Sequence, residues 1–301
     1  MNAISINNLK KTYSNGTHAL KGINLEIAEG DFFALLGANG AGKTTVIGIL
    51  TGLVNKTSGK VSVHGHDIDQ HLDKAKEFVG VVPQEFNFNI FEKVIDIVTT
   101  QAGYFGIPHR EALKEAEVIL KALDLWSKKD TVGRALSGGM KRRLMIARGL
   151  IHKPRVLILD EPTAGVDVEL RHGMWKYLKK LNQEGTTILM TTHYLEEVEQ
   201  LCKNVAIIKQ GEIVKNDSVK NLLASVEKKS YVISVNTMKN HDKIIGYDLK
   251  MVDDTTLETD LGMDQSLTEL VSSLAQHGII IKDIRPKGNR IEQLFLNILK
   301  N

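Results

Sequence analysis

The chain has 301 residues, 42% of them hydrophobic and 25% charged, enough to bury the core of one large domain and a smaller second one. A formal charge of +3 over that length does not point to a dedicated nucleic-acid binder, which usually carries a strongly basic face; Lys141, Arg142 and Arg143 could form a local basic patch. Cys202 is the only cysteine, so an intramolecular disulfide is excluded, a reducing, cytosolic compartment is expected, and the thiol reads as core filling.

The opening "MNAISINNLKKTYS" lacks the apolar centre of a signal peptide. No run of roughly 20 apolar residues follows anywhere, so another chain must supply any membrane-spanning part. Ile4 and Ile6, then Ile23, Leu25 and Ile27, alternate with polar residues as half-exposed antiparallel strands do. "EGD" at Glu29–Asp31 is a turn. "FFALL" (Phe32–Leu36), "VLIL" (Val156–Leu159) and "TTILMTT" (Thr186–Thr192) are continuous apolar runs separated by helical patterns, which predicts parallel strands buried on both faces. Each run ends in reactive residues, and ligands of open α/β sheets bind at the carboxyl ends of strands. One sheet edge therefore collects the loop Gly37–Thr45, the pair Asp160-Glu161, and His193.

Between Pro83 and Arg134 the pattern is helical ("VIDIVTTQAGYFG", "REALKEAEVILKALDLW"), an insertion with Gln84 at its entrance. After about Leu223 the character changes. "YVISV" and "TTLETDL" read as strands, "SLTELVSSLAQHG" as a capped helix, "IIIKDIR" as a strand and "NRIEQLFLNIL" as a last helix, with the boundary in "SVEKKS".

"GANGAGKT" at Gly37–Thr44 follows a predicted strand, precedes a helix and fits G-x-x-x-x-G-K-[ST]. Gly37, Gly40 and Gly42 let backbone N–H groups turn in around phosphate oxygens. Lys43 brings positive charge to the β/γ-phosphates, and the Thr44 hydroxyl suits Mg²⁺. The loop also presents Asn39 and Thr45 to a nucleotide. Asp160 fits a group holding Mg²⁺ through water, and Glu161 one that polarises the attacking water. His193 fits a contact to the γ-phosphate that holds the water, and Gln84 a ligand of metal or water. Solvated acids and an ordinary structural histidine are the plainer alternatives.

In "LSGGM", Ser137 is a good N-cap, and Gly138 and Gly139 expose N–H groups at a helix start, an anion-binding arrangement. Leu144, Ala147 and Ile151 form one stripe of that helix. A spare anion site beside a complete nucleotide loop suits two copies packed head to tail around two ATP molecules, closed while the γ-phosphate is present.

With these residues in view the chain resembles ATP-binding subunits of ABC transporters over about residues 3–220. The matches are Walker A (Gly37–Thr45), the Q-loop (Gln84), the signature (Leu136–Met140), Walker B (Val156–Asp160 with Glu161), the D-loop (around Ala164–Asp167) and the switch histidine His193. The resemblance implies that Tyr13 stacks on adenine. Met140 departs from the usual glutamine. "LSGGMKRRLMIARGL", "DEPTAGVD", "VVPQEFNFN" and "MTTHYLEEVEQLC" look like the type-2 exporter branch and are similar to bacterial YadG-type ATPases. The fold implied is α/β: a P-loop NTPase core with a mixed sheet, an N-terminal antiparallel β subdomain, a helical insertion at about 85–150 within a domain 1–224, and a small α+β appendage at 225–301. The function implied is ATP hydrolysis, with Mg²⁺, driving export through a separately encoded integral-membrane permease. The head-to-tail homodimer would lie on the cytoplasmic face of the inner membrane. "EFNFNIFEKV" (Glu85–Val94) is either the permease contact or core. A soluble ribosome or nucleic-acid factor is the alternative, with no nucleic acid expected; a non-hydrolysing module conflicts with intact Lys43, Asp160, Glu161 and His193.

Overall fold

The computed structural model describes residues 1–163, 166, 168–224, 229–236, 247–262 and 264–287. The chain divides into two units, Met1–Ser218 and Val219–Asn301. In the first, β1 (Asn2–Thr12) and β2 (His18–Ala28) make a hairpin, and β3 (Phe32–Leu36) runs into α1 (Lys43–Leu50). Next come β4 (Ser58–Val63), the short β5 (His66–Asp67), α2 (Leu72–Glu77) and β6 (Val79–Val82). The inserted helices α3 (Val94–Tyr104), α4 (His109–Ala122) and α5 (Gly138–Leu150) follow, then β7 (Val156–Asp160), α6 (Val168–Gln183), β8 (Thr187–Thr192), α7 (Leu195–Leu201), β9 (Asn204–Lys209) and β10 (Glu212–Ser218).

The alternating segments form the antiparallel sheet β2-β1-β4-β5, with Ile4, Ile6, Ile23, Leu25 and Ile27 all buried. The three continuous apolar runs are neighbours in a mixed six-stranded sheet, order β10-β9-β3-β8-β7-β6, parallel from β9 to β6. Every residue of β3, β7 and β8 is buried, because sheet and helix layers cover both faces. The antiparallel sheet shares its core with one face of the mixed sheet through residues such as Val46, Ile158 and Ile208.

Several strands escaped the sequence reading: β4, β5, β6, β9 and β10 are short or carry no clean alternation. A further difference is the basic cluster. Arg142 is buried, donating to the carbonyls of Pro83 and Gln84 at 2.8 Å each, and Arg143 donates to the Leu123 carbonyl at 2.9 Å. These guanidiniums serve backbone carbonyls of the insertion rather than a surface patch.

In the second unit α8 (Val219–Ala224) precedes β11 (Lys229–Val235), β12 (Leu249–Asp253), β13 (Thr256–Leu261), α9 (Leu267–Gln276) and β14 (Ile281–Pro286). The four strands form an antiparallel sheet, order β12-β13-β11-β14, whose apolar face packs with Leu270 and Leu274 of α9. Ser266 caps α9 by accepting from the Thr268 N–H. The expected last helix at 289–299 and most of the linker "SVEKKS" lie outside the described residues, as do Ala164, Gly165 and Asp167 of the D-loop.

Candidate active site

The loop after β3 turns tightly because two of its glycines meet backbone. A Cβ on Gly37 would lie 2.5 Å from the Ile208 carbonyl, and Gly42 has φ +116° with the Ala19 carbonyl 2.9 Å from a Cβ position. Only glycine satisfies both demands. Gly42 then caps α1, whose first residue is Lys43. The Lys43 ammonium is buried and folds back over the loop, donating to the carbonyls of Gly37 (2.8 Å) and Ala38 (3.2 Å), with Glu161 Oε1 at 3.8 Å. Burial holds its pKa below the usual lysine value, opposed by the charges of Glu161 and Asp160.

Asp160 closes β7 and Glu161 follows it, both buried. Burial raises the Asp160 pKa, and a hydrogen bond from the Thr191 hydroxyl counters the rise. Glu161 has φ +47°, a left-handed conformation that costs a side-chain-bearing residue about 1 kcal/mol. Its N–H is held there by the Thr191 carbonyl (3.1 Å) and hydroxyl (3.2 Å). Strand alternation therefore stops right after Asp160.

Three of the expected partners meet on Glu161. Gln84 Nε2 donates to Oε2 at 3.3 Å, His193 Nδ1 lies 3.1 Å from Oε1, and Lys43 is the third. A cleft of about 590 Å³ opens beside them, lined by Tyr13, Asn39, Gly40, Gly42, Lys43, Thr44, Thr45, Gln84 and Glu161 among others. The Tyr13 hydroxyl pairs with Thr45 Oγ1 at 3.2 Å, and Lys11 lies 4.8 Å over its ring. Gly37 sits in the loop floor and Asp160 just beneath Glu161, both buried.

Ser137, Gly138 and Gly139 do not line this cleft. Ser137 caps α5, accepting from the Met140 N–H at 3.3 Å, and Ser137 and Gly138 are exposed. Gly139 is buried against α6, where a Cβ would come within 2.3 Å of Leu170. Leu144, Ala147 and Ile151 are buried as the stripe requires.

The donors Asp160, Thr44 and Gln84 are all oxygen ligands or amide carbonyls, a hard set. A small oxygen set of this kind fits Mg²⁺, which keeps several waters and takes phosphate oxygens with one or two protein ligands.

The sequence reading missed Thr191, hidden in a run that reads only as strand, and Glu197. Glu197 is buried, accepting from the hydroxyls of Thr163 and Thr192 (2.6 Å for the latter), one residue after Pro162 and one before His193. An acid four residues past His193 on α7 that turns inward was the available signal. Thr17, His18, Ala19, Lys21 and Gln210 also line the cleft and had no motif to mark them.

The family model described as ABC transporter matches residues 20–164. The chain is 32% identical over 303 residues to the linearmycin resistance ATP-binding protein LnrL of Bacillus subtilis (strain 168), covering 97% of this chain and 96% of that protein. It is 40% identical over 223 residues to the Nod factor export ATP-binding protein I of Cupriavidus metallidurans, covering 74% and 73%. Among solved structures, cbiO1 from Clostridium perfringens, part of the ABC transporter complex cbiONQ, superposes with a TM-score of 0.68 at 34% identity, covering 74% of this chain and 91% of that one. The dimeric ATP-binding cassette MJ0796 bound to ADP and Pi superposes with a TM-score of 0.66 at 28% identity, covering 72% and 98%.

Proposed function

This chain belongs to the ABC transporter family, and from that membership we propose that it is the ATP-binding subunit of an exporter, hydrolysing ATP to ADP and phosphate to drive a separate permease. The convergence of Lys43, Gln84 and His193 on the Glu161 carboxylate carries the reading. The full-length likeness to a drug-resistance subunit and the likeness to Nod factor export subunits support export; the finer placement with YadG-type ATPases rests on the motifs quoted above.

In this reading the loop N–H groups from Gly37 to Thr45 cradle the phosphates, with Asn39 at the rim and Tyr13 under the base. Lys43 leaves the Gly37 and Ala38 carbonyls for the β- and γ-phosphates. The Thr44 hydroxyl, Gln84 and Asp160 would hold Mg²⁺, which would supply neutralisation of phosphate charge. Glu161 accepts a hydrogen bond from the attacking water and orients it toward phosphorus. His193, fixed against Glu161, holds that water and the γ-phosphate in register. The exposed N-terminus of α5, with Ser137, Gly138 and Gly139, reaches the γ-phosphate bound by a second copy, in a head-to-tail homodimer.

No described helix is long and apolar enough to cross a membrane; in this reading the permease supplies the span and this chain sits on its cytoplasmic face. Phe86, Ile90 and Phe91 of the segment after Gln84 are exposed, at 42%, 40% and 67%. They form the permease contact. The deciding experiment is Glu161→Gln, which should bind ATP, dimerise on it and turn over at least about a hundredfold more slowly, the scale on which general-base catalysis acts. Turnover equal to the parent chain would remove Glu161 from the mechanism.

A further inference from the structure

Arg142 is a charged side chain that the hydrolysis mechanism does not use, yet it is buried to 3% exposure. Its two terminal nitrogens donate to consecutive carbonyls, Pro83 and Gln84, at 2.8 Å each. The guanidinium also lies 5.2 Å over the Phe86 ring. Six residues further along α5, Arg148 donates to the Asn87 carbonyl at 2.9 Å and to its side-chain oxygen. The whole stretch Pro83–Asn87 is thus fastened to α5 from both ends. Burying a guanidinium is costly; the Nε–H of Arg142 is buried without a partner, and the two terminal nitrogens that are used both fix backbone.

That backbone carries two other things: the Gln84 side chain on Glu161 and, two residues later, the exposed Phe86. The other end of α5 carries Ser137, five residues before Arg142 and a little over one helical turn away. A bidentate guanidinium fixes direction as well as distance, which a lysine ammonium does not.

We propose that Arg142 is a positioning residue that makes the Gln84 segment and the Ser137 helix tip one rigid body, so that what Gln84 senses at this chain's own nucleotide sets the angle at which the tip meets the second copy's. The inference rests on the head-to-tail reading above. Arg148 is the second fastening of the same strap.

The test compares Arg142→Gln and Arg142→Lys, each in the full chain carrying Glu161→Gln, with thermal melts confirming the fold. ADP affinity, which needs no second copy, is expected to stay at the parent value. The ATP concentration for half-dimerisation is expected to rise by about tenfold in Arg142→Gln, the effect of losing roughly one charge-assisted hydrogen bond. In Arg142→Lys it should rise by an intermediate factor. Gln84→Ala should weaken dimerisation in the parent and have no further effect once Arg142 is glutamine. Unchanged dimerisation, a parallel loss of ADP affinity, a lysine as good as arginine, or additive effects with Gln84→Ala each overturn the strap. If Arg142→Gln fails to fold, Arg148→Gln takes its place with the same expected direction. Should the Glu161→Gln parent itself fail to dimerise, the head-to-tail reading falls separately. The strap is then judged by hydrogen exchange of the amides at 84–87: slow in the parent and faster in Arg142→Lys upholds it, equal rates overturn it.

Discussion

At Thr191 one hydroxyl joins the two acids of the site: it donates to Asp160 and accepts from the Glu161 N–H, while the same residue's carbonyl accepts from that N–H as well. The residue is fully buried, so Thr191→Val would leave one Asp160 oxygen and part of the left-handed turn unsupported. We expect a loss of about 1–3 kcal/mol in unfolding free energy, read by urea titration, together with a fall in kcat and unchanged ADP affinity. Thr191→Ser should recover most of both. At this scale the sequence made Lys43, Asp160 and Glu161 legible, because their chemistry sits at fixed spacing after apolar runs. Thr191 was illegible, since a threonine before a threonine in "MTTH" is what strand propensity alone would place there. Tyr13 became visible only through family resemblance: its partner Thr45 is 32 residues away, and that pairing exists only once the antiparallel sheet lies beside α1.

At the scale of elements, α5 is the member on which the site depends most, and it approaches β6 unusually closely. A Cβ on Gly80 would lie 2.1 Å from the Gly149 carbonyl, whereas one on Gly103, exposed in α3, would meet nothing within 4 Å. Gly80→Ala should therefore destabilise the chain by about 1–3 kcal/mol through forced separation of helix and sheet. Gly103→Ala should stabilise it by about 0.5–1 kcal/mol, as alanine does in an exposed helix; both are measurable by chemical denaturation. Just beyond α5, His152 Nε2 donates to the Val79 carbonyl at 3.1 Å while the ring stacks on Phe105 and Nδ1 is buried without a partner. Burial pushes its pKa down from 6.5 to about 4. The folded state thus binds fewer protons than the unfolded one between those values, and stability is lost as pH falls through that window. His152→Gln should flatten that slope, seen as a smaller drop in Tm from pH 6.5 to 4 than in the parent chain. The helical insertion was legible from its periodicity. The short strands β4, β6, β9 and β10 were not, because strands of four to seven residues gain their identity from neighbours far along the chain.

For the molecule as a whole, the likeness to Nod factor export subunits covers 74% of the chain, and that to cbiO1 covers the same share, whereas LnrL matches over 97%. The residues proposed to handle ATP all lie in the unit Met1–Ser218. The second unit has a core of its own around Ile233, Leu257, Leu270 and Leu274. A chain ended after Ala224, retaining α8, should melt cooperatively and bind ADP as the full chain does. A shortened chain that fails to bind would make the second unit part of the nucleotide site. The second unit's existence was legible from the change in pattern after Leu223; its role carried no chemical motif to read.

The tether between Tyr13 and Thr45 has a thermodynamic consequence. A ring already tied by its hydroxyl at the head of α1, with the Lys11 ammonium lying over it, has less rotational freedom left to lose when a nucleotide arrives. On the proposal that this ring seats the base, an incoming purine need not immobilise its own seat, and more of the stacking enthalpy survives as affinity. Cutting the anchor with Tyr13→Phe keeps the aromatic surface but restores that freedom, so calorimetry should find the weakening of ADP binding in the entropy, with the enthalpy nearly intact.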